Sequence, residues 1–367
     1  MKRSFIREIL ESIDETTISF AGGLPSEKLF PVEDIKTATM KIFDNPKVFQ
    51  YGVSNGIAEL REKIAARYTK EGFPTNKDNI LITTGSQQGM YILAKYFESK
   101  DITIEEPSYL GAMNIFRLNH LNMKGVELEN NGVNIEKFNE SFKETKLAYL
   151  IPDFQNPSAR TYSDEKREQI ARIVSEEDGI LIEDSPYSEL FFDKKNTSIS
   201  VKIPKNSFHL GSFSKTLVPS LRIGWIRADE KLLQSLMIIK ESIDLHSCGI
   251  SQYILNEYLK DEEKYEKHLQ DIRDDYEKKA NFFCEQLDKY LPEFKYEKPK
   301  GGMFLYGSFE GIDSFALVQK CIEQKVVYVP GNQFYIDKVP NGEIRFNYTH
   351  STFEQIEKGI QLIKSCL

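Results

Sequence analysis

From about residue 58 to residue 227 the chain alternates short apolar runs with longer amphipathic stretches, and this alternation narrows the folds open to it. Short runs rich in Ile, Leu and Val are typical of buried strands, whereas apolar residues at every third or fourth position are typical of helices. Strands that alternate with helices indicate an α/β fold in which helices flank a mainly parallel central sheet, with ligands at the carboxyl ends of the strands. We predict strands at 80–82, 102–104, 147–151, 180–182 and 208–210, and helices near 58–70, 87–98, 108–118 and 164–177.

The pattern changes beyond about residue 230. Residues 230–291 are rich in Lys, Glu and Leu, which is typical of long helices, and residues 301–306 and 343–348 are typical of strands. These features indicate a smaller α+β domain after the large one. The predicted division is an N-terminal segment at 1–45 that packs with the small domain, a large domain at 46–240 and a small C-terminal domain at 241–367.

Composition excludes several classes of function. The net charge of −8 argues against a nucleic-acid-binding surface, although a local basic pocket could still hold a phosphate. The four cysteines are widely spaced and the five histidines lie far apart, so we expect reduced cytoplasmic thiols and no metal site. No apolar run approaches the length of a membrane span, and the first ten residues are typical of an amphipathic helix rather than a secretory signal.

Lys215 follows the last predicted strand of the large domain, with Ser212 and Ser214 just before it and Arg222 after it. A lysine at the end of a buried strand is costly unless it is paired or used covalently. Hydroxyl groups and a forked guanidinium suit a dianionic phosphate. A lysine that forms a Schiff base beside a phosphate site is what pyridoxal 5′-phosphate (PLP) requires. In isolation such a lysine is typical of the surface, so the prediction depends on the other strand ends.

Two further strand ends carry polar groups. Gly85 permits a tight turn between a strand and a helix, and the backbone N–H groups of Ser86 and Gln87 would form a phosphate site there. Alone, this pattern is more often that of a glycine turn with a serine cap. Asn156 precedes Pro157, which holds it extended, so that its amide could donate to O3′ of PLP, or it could simply form a turn.

The next strand ends at Glu183 and Asp184. A buried carboxylate there requires a cationic partner, and the protonated pyridine nitrogen of PLP is one. We predict that Asp184 pairs with it, that Glu183 faces outward, and that Tyr187 can hydrogen-bond O3′. Arg345, on a predicted C-terminal strand, suits a substrate α-carboxylate, with a salt bridge at the strand edge as the alternative.

Together these residues resemble fold-type I PLP enzymes, specifically the class I/II aminotransferases. The nearest resemblance is to the branch with 2-aminoadipate aminotransferases, kynurenine aminotransferases and the effector domains of MocR-type regulators. The resemblance covers nearly the whole chain. It rests on the segments at 19–25, 49–52, 84–88, 106–109, 155–157, 183–187, 211–215, 299–304, 329–331 and 345–348.

The resemblance implies a homodimer with active sites at the subunit interface and a large domain that binds PLP. It implies that Lys215 forms the Schiff base and later acts as general acid and base, with Asp184 and Tyr187 as the other catalytic residues. Tyr109 would stack on the ring, and Tyr51 of the partner subunit would reach the phosphate. The implied cofactor-binding residues are Tyr51, Gly85, Ser86, Gln87, Tyr109, Asn156, Asp184, Tyr187, Ser212, Ser214, Lys215 and Arg222, and the implied substrate-binding residues are Arg7, Gly23, Asn156 and Arg345.

These expectations amount to a PLP-dependent aminotransferase that uses an L-amino acid (2-aminoadipate, glutamate, aromatic or branched-chain) and a 2-oxo acid, 2-oxoglutarate, in a ping-pong reaction. Two departures from the family pattern leave the donor open: Ser158-Ala159 stands where the family often has Thr-Gly, and Ser220 where Gly is common. A β-lyase or decarboxylase shares the same ring-binding residues and stays an alternative. So does a PLP-sensing domain without turnover.

Overall fold

The computed structural model describes residues 14–337, 339 and 341–367. The strands are β1 (Ile18–Ser19), β2 (Ile80–Thr83), β3 (Asp101–Glu106), β4 (Asn122–Glu129), β5 (Gly132–Val133), β6 (Leu147–Leu150), β7 (Ile180–Asp184), β8 (Ser207–Ser212), β9 (Gly224–Arg227), β10 (Lys295–Tyr296), β11 (Phe304–Ser308), β12 (Val326–Val327), β13 (Val329–Pro330) and β14 (Glu343–Asn347). The helices are α1 (Val32–Phe43), α2 (Ala58–Lys70), α3 (Gly85–Tyr96), α4 (Leu110–Leu118), α5 (Ile135–Thr145), α6 (Asp164–Glu176), α7 (Glu230–Asp244), α8 (Gly249–Tyr258), α9 (Glu262–Tyr290), α10 (Ser314–Glu323) and α11 (Phe353–Cys366).

Eight strands form the central sheet in the order β2-β9-β8-β7-β6-β3-β4-β5. The run from β8 to β4 is parallel, whereas β9 is antiparallel to both of its neighbours and β5 is antiparallel to β4. Because β9 reverses direction between them, β2 and β8 point the same way and end at the same edge. The predicted α/β fold with a mainly parallel sheet between helices is confirmed.

The inner strands are buried over most of their length, as expected where helices cover both faces of a parallel sheet. Every residue of β6 and of β8 is buried. Each predicted strand and helix between residues 58 and 227 is present, with ends that differ by a few residues. Local capping contributes to these boundaries: the side chain of Asn134 accepts a hydrogen bond from the backbone N of Lys137 at the start of α5.

The C-terminal part contains a four-stranded antiparallel sheet in the order β10-β11-β14-β13. The long helices predicted for residues 230–291 are α7, α8 and α9, and α9 packs against α11. One hydrophobic core includes Ile104 of the central sheet and Phe304 and Ile344 of the small sheet. Strand β1 pairs with β12, which ties residues 18–19 to the C-terminal part. The predicted division at residues 45 and 240 stays a prediction.

Within residues 14–337, 339 and 341–367, no helix combines the length and the apolar character needed to cross a membrane. The same residues contain no group of three or more His, Cys, Asp or Glu side chains arranged to hold a metal ion. All four cysteines are free thiols.

Candidate active site

Most of the predicted site residues meet at one edge of the central sheet, where β2, β6, β7 and β8 end. Asp184 is the last residue of β7, and Ser212 is the last residue of β8, three positions before Lys215. Gly85 begins α3 just after β2. Parallel strands gather their carboxyl ends in this way, which is why residues far apart in sequence become neighbours. Arg345 joins them from β14 of the small sheet.

Asp184 is a buried carboxylate with one oxygen satisfied and one free. Its Oδ2 accepts a hydrogen bond of 2.7 Å from the hydroxyl of Tyr149, and its Oδ1 has no partner among the described residues. Burial raises the pKa of Asp184 to about 6, although the Tyr149 hydrogen bond acts in the opposite direction. A buried carboxylate oxygen without a donor suits a cationic N–H group better than any neutral ligand.

Lys215 has no carboxylate partner in the described part of the chain. Its Nζ donates a hydrogen bond of 2.7 Å to the backbone oxygen of Gly23, and a side chain at Gly23 would begin 3.8 Å from that nitrogen. Burial, together with the positive charges of Arg345 and Arg222, lowers the pKa of Lys215 to about 8. The amine is therefore partly neutral near pH 7, as a nucleophile must be.

Anion-binding groups converge at the N-terminus of α3. Gly85 has a positive φ of 72°, and a Cβ there would lie 2.4 Å from Nη2 of Arg222. Arg222 Nη1 donates to Ser214 Oγ over 3.2 Å, and Ser214 N donates to Ser212 Oγ over 3.1 Å. Ser86 lies in the first turn of α3. Free N–H groups, hydroxyls and a guanidinium at one point form a site for a phosphate dianion.

Gln87 also lies in that first turn of α3, beside Ser86. The structure therefore brings Gly85, Ser86, Gln87, Ser212, Ser214 and Arg222 to one side of the site.

A hydrogen-bonded chain links Arg345, Asn156 and Tyr187 on the other side of the site. Arg345 Nη1 donates to Asn156 Oδ1 over 2.7 Å, and Asn156 Nδ2 donates to the Tyr187 hydroxyl over 3.3 Å. The guanidinium lies over the rings of Phe304 and Phe334, at 4.4 and 5.1 Å. No ion pair of Arg345 occurs among the described residues, so the predicted alternative of a strand-edge salt bridge is wrong.

Burial lowers the pKa of Arg345 to about 10. The side chain is 2% exposed, and its Nε has no partner within the described chain. A buried cation with donor capacity to spare suits a carboxylate ligand that would fork onto the guanidinium.

Of the three remaining predicted residues, Tyr51 stands apart from this cluster, Tyr109 lies beside it, and the third lies outside the described part of the chain. Tyr51 is 80% exposed, and its ring lies edge-on to His246 at 5.9 Å. Tyr109 immediately precedes α4 and lies near Tyr187 and Arg345. Arg7 lies outside the described residues.

The outward orientation predicted for Glu183 is wrong. Glu183 is fully buried and accepts hydrogen bonds from the backbone N of Ile199 and of Ser200, at 3.0 and 2.7 Å, and from the Ser200 hydroxyl. Because helices cover both faces of this sheet, the face opposite Asp184 is interior too.

Tyr149 was missed from the sequence because it lies inside an apolar run that predicts only a core strand. The feature that could have revealed Tyr149 is its place in the strand next to β7. In the pairing of β6 with β7, Tyr149 lies opposite Ile182, which is two residues before Asp184. A tyrosine hydroxyl in a fully buried strand requires a polar partner, and the adjacent strand end provides one.

The comparisons with known proteins agree with this geometry. The family model described as "Aminotransferase class I and II" matches residues 18–363. The chain is 33% identical to aromatic-amino-acid aminotransferase 1 of Thermococcus litoralis, over 98% of this chain and 90% of that protein. It is 32% identical to 2-aminoadipate transaminase of Thermus thermophilus, over 100% of this chain and 94% of that protein. The crystal structure of LysN, α-aminoadipate aminotransferase, from Thermus thermophilus in complex with N-(5′-phosphopyridoxyl)-L-leucine superposes with a TM-score of 0.92 at 31% identity, covering 100% of this chain and 95% of that one.

Proposed function

The chain belongs to the class I and II aminotransferases, and from that premise we propose a substrate class and residue roles for this PLP-dependent enzyme. The donor is an L-amino acid (2-aminoadipate, glutamate, an aromatic or a branched-chain amino acid), and the acceptor is 2-oxoglutarate. The names of the relatives support aromatic and 2-aminoadipate donors, and the ligand of the LysN crystal structure supports leucine. The observation that carries the proposal is a partly neutral Lys215 close to the buried Arg345–Asn156 pair.

The described residues fit PLP. The free Oδ1 of Asp184 would accept the protonated ring nitrogen, and Ser212, Ser214, Arg222 and the first turn of α3 would bind the phosphate. Tyr187 and Asn156 would hold O3′, and Tyr109 would cover the ring. Bound PLP accepts the amino group and stabilises negative charge that develops at the substrate Cα.

Arg345 binds the α-carboxylate in the proposed mechanism, because its Nε and Nη groups face no carboxylate in the described chain. The bound carboxylate fixes the Cα–H bond relative to the Lys215 amine. With PLP bound, the Lys215 amine would move the Cα proton between substrate and cofactor, and a pKa of about 8 would suit both directions of that transfer. Asn156 holds the Arg345 guanidinium in orientation through its amide oxygen.

The order of substrates is ping-pong: the donor leaves as a 2-oxo acid before the acceptor enters the same Arg345 site. A homodimer completes the active site with Tyr51 of the partner subunit. This part of the proposal is supported by three exposed apolar side chains within five positions, Phe49, Tyr51 and Val53, at 59%, 80% and 59% exposure.

We place the enzyme in the cytoplasm, where its four free thiols would stay reduced.

The test of substrate class is the absorption spectrum of the purified holoenzyme before and after each donor, without an acceptor. A visible cofactor band that is lost on addition of 2-aminoadipate, glutamate, leucine or phenylalanine, with release of one equivalent of 2-oxo acid, supports a ping-pong aminotransferase. Adding 2-oxoglutarate should restore the band. Release of ammonia together with pyruvate, or of carbon dioxide, would instead establish a lyase or a decarboxylase.

Mixed dimers test the shared active site. Lys215→Ala and Tyr51→Ala proteins are each assayed at limiting PLP and then mixed under conditions that allow exchange of subunits. A hybrid contains one site with both defects and one site with none, so random mixing should recover roughly a quarter of wild-type activity. No recovery would show that Tyr51 acts within its own subunit or not at all.

A further inference from the structure

A cavity of about 280 Å³ lies next to the segment that carries Lys215 and is distinct from the proposed active site. It is lined by residues that follow β7, including Ser185 and Ser188, by the end of β8, and by α2. His209 of β8 is one of the lining residues. In the pairing of β7 with β8, His209 lies opposite Glu183, and Leu210 lies opposite Asp184. Because side chains alternate along a strand, His209 faces the side of the sheet opposite to Asp184. Of the proposed cofactor-binding residues, only Ser212 is among the described residues that line it.

Aromatic side chains line part of this cavity, beside polar and charged residues. Tyr68, Phe73, Phe213, Trp225 and Tyr265 all line it. Flat rings around a space of this size fit a one-ring or two-ring molecule, since binding sites for larger ligands span about 300–1,000 Å³.

The charged residues at the rim of the cavity are already neutralised by one another. Arg67 pairs with Glu189 at 3.2 Å, and Lys195 pairs with Glu189 at 2.8 Å and also with Glu71. Side-chain exposures of 24% for Lys195 and 40% for Glu71 place this cluster where the cavity meets solvent. A charged ligand would have to break these pairs, so an uncharged ligand is favoured.

A hydrogen-bonded relay fixes the proton positions on His209. The indole N–H of Trp225 can only donate, and it donates to the Tyr68 hydroxyl over 2.8 Å. The Tyr68 hydroxyl lies 2.7 Å from Nδ1 of His209, and its own hydrogen is satisfied only if it donates to that nitrogen. Burial, together with the charge of Arg227, lowers the pKa of His209 to about 3, so the ring is neutral and Nε2 bears the hydrogen.

Among the described residues the His209 ring makes its hydrogen bond at Nδ1, and none occurs at Nε2. The His209 side chain is 6% exposed and lines the cavity. We propose that this cavity binds an uncharged aromatic molecule of one or two rings whose acceptor atom, a carbonyl oxygen or ring nitrogen, takes the hydrogen bond of His209 Nε2. The ligand would lie between aromatic walls, on the face of the sheet opposite the transamination site.

Trp225 is the only tryptophan in the chain and lines this cavity, so its fluorescence reports occupancy directly. The holoenzyme is titrated with benzamide, which is uncharged, aromatic and an acceptor, and in parallel with toluene, which has the same ring and no acceptor. We expect a saturable change in Trp225 fluorescence with benzamide, and binding that is roughly 3- to 10-fold weaker with toluene, the worth of one hydrogen bond.

Two variants separate the ring pocket from the hydrogen bond, and neither touches the proposed catalytic residues. Val201→Phe fills the cavity from one wall and should abolish both titrations while transamination continues. His209→Leu removes the donor and should weaken benzamide roughly 3- to 10-fold while toluene binds as well as before. Should His209→Leu fail to fold, Tyr68→Phe is the substitute. It removes the hydroxyl that fixes the hydrogen on Nε2 of His209, so it should also weaken benzamide binding more than toluene binding.

The proposal is overturned if benzamide gives no saturable change in Trp225 fluorescence, or if Val201→Phe responds as the wild type does. It is also overturned if toluene binds the wild-type protein as tightly as benzamide does, because the Nε2–H group then makes no hydrogen bond to the ligand. A crystal structure grown with benzamide that shows only water beside His209 would have the same meaning.

Discussion

The hydroxyl of Tyr149 donates a hydrogen bond of 2.7 Å to Oδ2 of Asp184 and leaves Oδ1 of the same carboxylate without a donor in the described chain. The Tyr149–Asp184 pair thus leaves one carboxylate oxygen available to accept a hydrogen bond from a ring N–H⁺ group. It keeps the carboxylate oriented, yet burial still raises the pKa of Asp184 to about 6. Without a cation at Oδ1, Asp184 therefore binds its proton more tightly in the folded protein than in the unfolded chain.

The first prediction concerns the stability of the cofactor-free protein. A carboxyl whose pKa rises from 3.8 unfolded to about 6 folded contributes stability at low pH that is lost as pH rises through about 4 to 6. Asp184→Asn cannot ionise and escapes this loss. Between pH 4.5 and pH 7.5 the free energy of unfolding of the cofactor-free wild type should therefore fall by about 2 kcal/mol relative to that of the variant, as measured by urea unfolding. A difference that is the same at both pH values would contradict the raised pKa.

The second prediction concerns the reaction of the cofactor-free protein with added PLP. Lys215 must be neutral to attack, and with a pKa of about 8 roughly one molecule in ten is neutral at pH 7. The rate of appearance of the visible band should rise about tenfold per pH unit below pH 8 and level off above it. Lys215→Ala should bind PLP without this band and should lose turnover. A rate that is still rising at pH 10 would show an ordinary lysine.

The third prediction concerns Arg345. Arg345→Lys keeps the charge but loses the forked geometry, so kcat/KM for the donor should fall roughly 10- to 100-fold while the cofactor band is kept. Arg273→Lys is the matched control, because Arg273 is another largely buried arginine over an aromatic ring, 4.5 Å from Phe191. Steady-state kinetics of both variants separates substrate binding from the cost of replacing a buried arginine. Equal losses would argue against a carboxylate site at Arg345.

The fourth prediction compares two glycines with the same φ of 72°. A Cβ at Gly85 would lie 2.4 Å from Arg222 Nη2, whereas Gly311 has nothing within 4 Å of the same point. Alanine at either position should lower stability by about 1–2 kcal/mol, because both adopt a left-handed conformation. Only Gly85→Ala should also displace Arg222 and weaken PLP binding, as measured by titration of the cofactor-free protein. Weakened binding in Gly311→Ala would point to a general effect of instability.

The sequence predicted the fold and the strand-end residues because both depend on local patterns. Apolar runs mark the parallel strands, and the polar residues that follow them, such as Asp184 and Lys215, must share one edge of the sheet. Contacts across the sheet are not visible in this way. The hydrogen bond from Tyr149 to Asp184 and the burial of Glu183 depend on which strands are neighbours and on what covers each face. The relay from Trp225 through Tyr68 to His209 joins three separate elements, so spacing along the chain gave no sign of it.

The hydrogen bond between Arg345 and Asn156 joins positions 189 residues apart, and β14 is the last strand of the chain. A chain emerging from the ribosome therefore presents Lys215 and Asp184 long before the arginine that orders Asn156 has been made. Domains fold largely as they are synthesised, from the N-terminus onward. The residues proposed to bind the phosphate, the last of which is Arg222, are therefore synthesised before β14, which carries Arg345. The order of synthesis thus places the residues proposed for cofactor binding ahead of the residue proposed for substrate recognition.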